Sequence, residues 1–446
     1  MPVLLSTLIV LGSFSSAYAD TDTDGSFDYG RWYYTWFGIE DINSSGIDGS
    51  GVNVAVIDSA IFTGLPTLEE SDVSVHEPSF CYNQDGSSNP AEVDDPYKAS
   101  HGANVVSFLN GSGAAYGDDY ITGVRGIAPG AAVTFYAVGM PEDDCYTASG
   151  QLDNGWGHSL GDAIETAVDD GADIISVSLG TTLNSGSIRE AVVYAQQQEV
   201  VLVFATPNEE ASESVGTYFP AAYNGVVGVA SVQPDGTPRD DYLSMPISSK
   251  YIDIAAPGTD LLFQGDGLSS WNDLYYAAGS SFATPIVAGN IALAMQKYPD
   301  ATPNQILQLM VHNTTTGQAT QPHTPLMDSK SNYGYGIINT QAMLSDDPSQ
   351  YDDVNPFLAE KSDYGPEISE ILSDGQAITP DSEPAQLTAI PAAITWDETY
   401  QGDKNIISGL TSPATMIMAA SYFLLVSSLV WLFMSVYRVP KNKRSA

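Results

Sequence analysis

Basic side chains are scarce in this sequence: 14 Lys and Arg stand against 55 Asp and Glu, a formal net charge of −41 at pH 7. A body this acidic repels phosphate backbones, which excludes nucleic acid as a partner. Solubility in salty or mildly acidic surroundings accounts for the charge, and attraction of basic peptides is the sharper alternative. Cysteine is almost missing, and the two that occur, Cys81 and Cys145, are too few for a zinc site made of cysteine ligands alone. In an exported protein they suit one disulfide, with two free thiols as the alternative. Charge is absent from two stretches. Residues 1–19 are apolar, lack Lys and Arg, and end in Ala17-Tyr18-Ala19, a small-x-small pattern that reads as a signal peptide cut after Ala19. Residues 406–437 are also uncharged, and within them 413–437 form a run long enough to cross a bilayer as one transmembrane helix, which takes about 20 residues. The basic tail 438–446 follows at once. By the positive-inside rule the tail is cytoplasmic and the acidic body extracytoplasmic, giving a single-pass protein of the cell membrane in contact with membrane lipid.

Between these ends the composition changes twice. Residues 20–50 start acidic and then carry Trp32, Tyr33, Tyr34, Trp36 and Phe37, an aromatic density that reads as an arm clamped on a domain. Residues 345–412 are acidic and punctuated by proline, as an extended stalk would be. The interval 51–344 alternates strand-like and helix-like stretches without a break or an internal repeat, so one large domain is expected there.

Its strands announce themselves as continuous apolar runs: VNVAVI ending at Asp58, AVTFYAV, ADIISVSLG, VVLVFA, GVVGVASV and YIDIAAPG. Runs apolar on both sides belong to parallel strands covered on both faces, and the intervening helical stretches imply right-handed crossovers. The fold class expected is α/β, a doubly wound and mainly parallel sheet.

The chemistry centres on Gly279-Ser280-Ser281-Phe282-Ala283-Thr284-Pro285. A small-residue turn feeding an apolar helix places the Ser281 hydroxyl at a helix mouth, where free N–H groups favour a developing negative charge. A serine needs a base, and the base needs an orienting group. Asp58 ends a strand, where functional side chains of open parallel sheets gather, although an Asp there is also a common turn former. Of the five histidines, His101 is the one read as heading a helix beside a glycine, Gly102, that lets another backbone approach. The chain order Asp58, His101, Ser281 is one of the three unrelated orders of the serine triad.

In that order the sequence resembles the subtilisin-like serine proteases over about 51–344, through GVNVAVIDSAI, SHGANVVSFLNG, GVRGIAPGAAV, TPNEE, YFPAAY and GSSFATPIVAGNIAL. The resemblance implies hydrolysis of protein or peptide substrates through an acyl-enzyme, with Asn208 as the side-chain donor of the oxyanion hole and no cofactor required. It also implies that Ser178, Leu179 and Gly180 border the primary specificity pocket, with Tyr218 near its floor, which predicts a shallow pocket and a preference for small residues. Acidic loops are too numerous for any one to be singled out as a calcium site, so structural calcium is unassigned. Three positions depart from the family pattern: Asp58-Ser59-Ala60 for Asp-Thr-Gly, Asn104 for a second histidine, and Pro207 for the glycine before the oxyanion asparagine. The interval before Gly51 is too short for the family's folded pro-domain. With the arm, stalk and single span, this is similar to mycosins, the membrane-anchored subtilisin-like proteases of type VII secretion systems. A component of such a machine whose protease fold mainly contacts partner subunits is the alternative expectation.

Overall fold

The computed structural model describes residues 30–114, 123–140, 143–208, 218–240, 247–265, 267–272, 274–315, 332–358, 365–366 and 368–371. All of them belong to one compact unit, Met1–Thr388. The signal peptide, the membrane span 413–437, the tail and most of the stalk expected from the sequence lie outside the described residues. Among the described residues no helix is long and apolar enough to cross a membrane.

The unit is built on a nine-stranded sheet. In chain order the strands are β1 Asn53–Asp58, β2 Val73–Val75, β3 Ala132–Ala137, β4 Ile174–Val177, β5 Val201–Ala205, β6 Val227–Val232 and β7 Ile254–Pro257, while β8 Leu261–Gln264 and β9 Leu274–Ala277 form a separate hairpin. Two short strands, β10 Thr314–Thr315 and β11 Ile337–Ile338, close the far edge. The sheet order is β10-β11-β7-β6-β5-β4-β1-β3-β2, parallel throughout except for the β10–β11 pair. Because β3 and β4 lie on opposite sides of β1, the winding reverses at β1, and a crevice is expected beyond its carboxyl end.

Successive residues of a strand face opposite sides, and here both sides are apolar. Val54, Val56, Ile174 and Val203 join one core cluster, while Ala55, Ile57, Ile175 and Phe204 join the other. The first cluster is covered by α2 Pro96–Asn110 and α5 Ser280–Lys297, the second by α3 Ser159–Asp169 and α4 Gly186–Gln197. Helix α5 is apolar on every side and buried from Phe282 to Ala294, as a helix wedged between a sheet and a second helix must be.

Sequence and structure differ at four places. Helix α2 starts at Pro96 with Asp95 as its cap, accepting from Tyr97 N–H at 3.1 Å, so His101 sits in the second turn and does not open the helix. The β8–β9 hairpin, LLFQ paired with LYYA, has no counterpart among the expected strands. The aromatic arm contains the short helix α1 Trp32–Phe37, whose Trp32 Nε1 donates to Thr259 O at 2.9 Å and whose Tyr33 ring meets Phe108 at 5.6 Å. Finally, folded contacts continue past the composition change at Ser345. Phe357 O accepts from Gly225 N–H at 2.7 Å, Gly365 O accepts from Asn224 N–H at 2.9 Å, and Arg189 pairs with Glu370. Backbone hydrogen bonding, invisible to composition, decides where the domain stops. Cys81 and Cys145 form a disulfide that joins the loop before α2 to the loop after β3.

Asn104 explains its own departure from the family pattern. Fully buried on α2, its amide faces the backbone of Gln264 in both directions: Nδ2 donates to Gln264 O at 2.8 Å and Oδ1 accepts from Gln264 N–H at 2.8 Å. It stands in for a missing neighbouring strand and ties the hairpin to the helix that bears His101. Replacing Asn104 with Ala strands two buried backbone groups, and we expect a loss of about 1–3 kcal/mol in unfolding free energy, read as a lower denaturant midpoint. A wild-type midpoint would show that the hairpin is held elsewhere.

Candidate active site

Asp58 is the last residue of β1 and has no solvent exposure. A buried carboxylate needs donors, and three groups converge on it. Ser59 N–H donates to Oδ1 at 2.7 Å, Ser59 Oγ lies 3.1 Å from the same oxygen, and His101 Nδ1 stands 2.9 Å from both Oδ1 and Oδ2. Gly102 makes this approach possible: a Cβ there would lie 2.3 Å from Ala60 O, so only glycine lets α2 come this close to the chain leaving Asp58. The other face of the imidazole meets the Phe282 ring at 5.6 Å, which brings His101 beside the first turn of α5.

Two opposed influences act on His101. Desolvation pushes the imidazole down, while the charge of Asp58 and its hydrogen bond push it up; the pair outweighs burial, and the net shift is above the ordinary 6.5.

Ser281 lies in the first turn of α5, after the cap residue Gly279. Pro285, four residues on, has no N–H to give to the Ser281 carbonyl. Ser178 supplies the missing donor, its Oγ standing 2.6 Å from Ser281 O. The residue expected along the substrate cleft therefore also supports the backbone of the nucleophile candidate, and it can do so because it directly follows β4, next to β1 in the sheet. Ser281 Oγ makes no hydrogen bond among the described residues; such contacts commonly tighten only when substrate binds.

Asn208 follows β5, exposed toward the same crevice, and its orientation is held from one end. Its Oδ1 accepts from Ser280 N–H at 2.8 Å and from Arg239 Nη1 at 2.6 Å, while the Ser280 hydroxyl gives its single hydrogen to Thr206 O at 2.6 Å. With the oxygen so occupied, the NH2 group is turned away from these donors. Pro207 removes a backbone donor without disturbing this clamp.

Tyr218 lies over Gly180. The two are brought together by a pair of backbone hydrogen bonds, Thr181 N–H to Phe219 O and Phe219 N–H to Thr181 O, both 2.8 Å. A Cβ on Gly180 would come within 2.0 Å of Tyr218 Cε1, so the ring occupies the space beside the Ser178–Gly180 segment. Burial pushes the Tyr218 phenol up to about 12, which keeps it neutral. Among the described residues no group of His, Cys, Asp and Glu could hold a metal ion.

The structure thus brings Asp58, His101, Ser281, Asn208 and Ser178 to one end of the sheet, at the carboxyl ends of β1, β4 and β5 and the mouth of α5. Ser280 and Arg239 complete the site without having stood out in the sequence: Ser280 is masked by the more prominent Ser281, and Arg239 lies in no motif.

Comparison with known proteins bears on the same interval. The Subtilase family profile matches residues 49–336. The chain belongs to the subtilase family. This subtilase is 30% identical over 305 residues to subtilisin of Bacillus pumilus, covering 68% of this chain and 94% of that one. It is 30% identical over 308 residues to a thermostable alkaline protease of Halalkalibacterium halodurans, covering 69% and 72%. Among solved structures, the MycP3 protease from the type VII (ESX-3) secretion system shares the fold at TM-score 0.53 and 21% identity, over 72% of this chain and 90% of that one. Fervidolysin from Fervidobacterium pennivorans does so at TM-score 0.53 and 23% identity, over 72% and 47%. As a subtilase the protein is a serine endopeptidase.

The Asp58 charge can be isolated by experiment. The His101 imidazole should titrate above pH 6.5 by NMR. In Asp58→Asn the raising influence is gone and desolvation remains, so the midpoint should fall below that ordinary value. An unchanged midpoint would exclude the pair as its cause.

Proposed function

We propose that this subtilase is a membrane-anchored extracytoplasmic endopeptidase of the mycosin type, working through Asp58, His101 and Ser281. What carries the proposal is one contact: His101 Nδ1 on the fully buried carboxylate of Asp58, with the imidazole beside the helix turn that bears Ser281. Asp58 holds the imidazole with Nδ1 protonated, leaving Nε2 to take the Ser281 proton as the hydroxyl attacks a peptide carbonyl. The imidazolium so formed is stabilised by Asp58 and then protonates the leaving amine. Water repeats the sequence on the acyl-enzyme. The oxyanion is met by the Ser281 N–H, one of the first-turn donors that a helix leaves over, and by the Asn208 NH2 group. Because the base must be neutral, activity is lost as pH falls through the raised His101 value.

Membrane anchoring is supported by the uncharged run 413–437 and the basic tail, and association with type VII secretion machinery by the fold shared with the MycP3 protease. The test is a fluorophosphonate label applied to washed membranes. Label on the wild-type chain and none on Ser281→Ala is the expected pair of results. Equal labelling of both would remove Ser281 from its role. No labelling of either would favour a protease-fold component that stabilises a secretion complex, as would full restoration of secretion by Ser281→Ala.

The ring over Gly180 makes the pocket shallow, so cleavage is expected after small residues. Tyr218→Gly should open it: kcat/KM for a substrate with Phe before the scissile bond should rise at least tenfold relative to one with Ala, on the order of 1.4 kcal/mol of discrimination. A wild-type enzyme that already prefers Phe or Arg there would overturn the assignment of Tyr218.

A further inference from the structure

Three cations of the described structure sit beside a carboxylate. Arg125 pairs with Glu40, Arg189 with Glu370, and Lys98 Nζ lies 3.6 Å from Asp143. In a chain with 55 acidic residues a carboxylate partner is easily found. Arg239 is different. Its guanidinium has no ion pair among the described residues, and Nη1 is spent on the Asn208 Oδ1, 2.6 Å away. The side chain is partly buried, and desolvation lowers its pKa, so the charge is kept at some cost.

The backbone places it there. After β6 the chain turns through Gln233–Pro238, with Gln233 N–H on Thr237 O at 2.8 Å and the Asp235 carboxylate receiving Thr237 N–H at 2.9 Å. The turn returns Arg239 to the end of β6, where its N–H donates to Ser231 O and its carbonyl accepts from Ile247 N–H, both at 2.9 Å. Since β6 neighbours β5, this fixes the Arg239 backbone beside the strand that Asn208 follows.

We infer that Arg239 is a positioning residue of the oxyanion hole, orienting and polarising the Asn208 amide through its oxygen. The inference rests on the protease mechanism proposed above. Two donors on Oδ1, the Ser280 N–H and the Arg239 guanidinium, leave one orientation of the amide, with the NH2 group facing the crevice. The cation draws electron density toward Oδ1, which makes the N–H a stronger donor, and its field opposes the net negative charge of the body at the point where the tetrahedral intermediate adds one more.

The test combines Arg239→Met, Arg239→Lys, Asn208→Ala and the double variant Arg239→Met/Asn208→Ala, on the full chain in detergent. Two readouts are taken: kcat and KM on a peptide anilide, and the second-order rate of fluorophosphonate labelling, whose phosphoryl oxygen also enters the oxyanion hole. Loss of a direct donor costs about 10²–10³-fold. For a residue acting through that donor we expect Arg239→Met to lower kcat and the labelling rate roughly tenfold. KM should be unchanged, Arg239→Lys should be intermediate, and Arg239→Met should have no further effect once Asn208 is Ala. A merely structural role would multiply with Asn208→Ala instead of vanishing, or would lower the thermal midpoint of both Arg239 variants together with their rates. Either result overturns the inference, as does wild-type labelling of Arg239→Met. In these cases labelled wild type and unlabelled Ser281→Ala leave the protease mechanism standing. If wild type itself is not labelled, both fall together.

Discussion

A carboxylate sealed from water, held by the Ser59 N–H and by both of its oxygens against one imidazole nitrogen, is the constraint on which the rest of this structure depends. An ionised group in such a place is tolerated only where donors are fixed around it, and every fixed donor requires a fixed backbone. The backbone of Ser59 is set by β1. The imidazole is set by α2, which reaches the strand because Gly102 has no side chain to collide with Ala60 O. Helix α2 is in turn bound to the β8–β9 hairpin through Asn104.

The same economy governs the nucleophile side. Proline in α5 deprives the Ser281 carbonyl of its helical partner, and the hydroxyl of Ser178, carried on the next strand, meets that need. A helix flaw and a strand-end hydroxyl thus become one support, tying the α5 mouth to the sheet. Asn208 is fixed in a comparable way through its oxygen rather than its nitrogen, so its donor face is left for a ligand.

Much of this was legible from residue patterns alone. The parallel strands showed as runs apolar on both faces; the position of Asp58 followed from where one of those runs stopped, and that of Ser281 from the small-residue turn that feeds an apolar helix. The start of α2 was misplaced because Asp95-Pro96, a cap and first-turn pair, sits inside a polar, proline-rich stretch that hides it. The hairpin escaped notice because β8 and β9 pair antiparallel with each other, outside the parallel sheet whose runs were being followed. Asn104 and Pro207 looked like defects in sequence; in space one closes a gap beside a backbone segment and the other stands next to an amide held by different means.

The sequence by itself determined the class of fold, the order Asp58, His101, Ser281, and the acidic body between two uncharged runs, because apolar period, chain order and charge are properties of a string. Tertiary structure alone decided which groups touch. The clamp on Asn208, the Ser178 hydroxyl under Ser281 and the Tyr218 ring over Gly180 join residues 31, 103 and 38 positions apart. Such contacts leave no local pattern: they arise where the sheet order sets β1, β4, β5 and β6 side by side and delivers their carboxyl ends to one crevice.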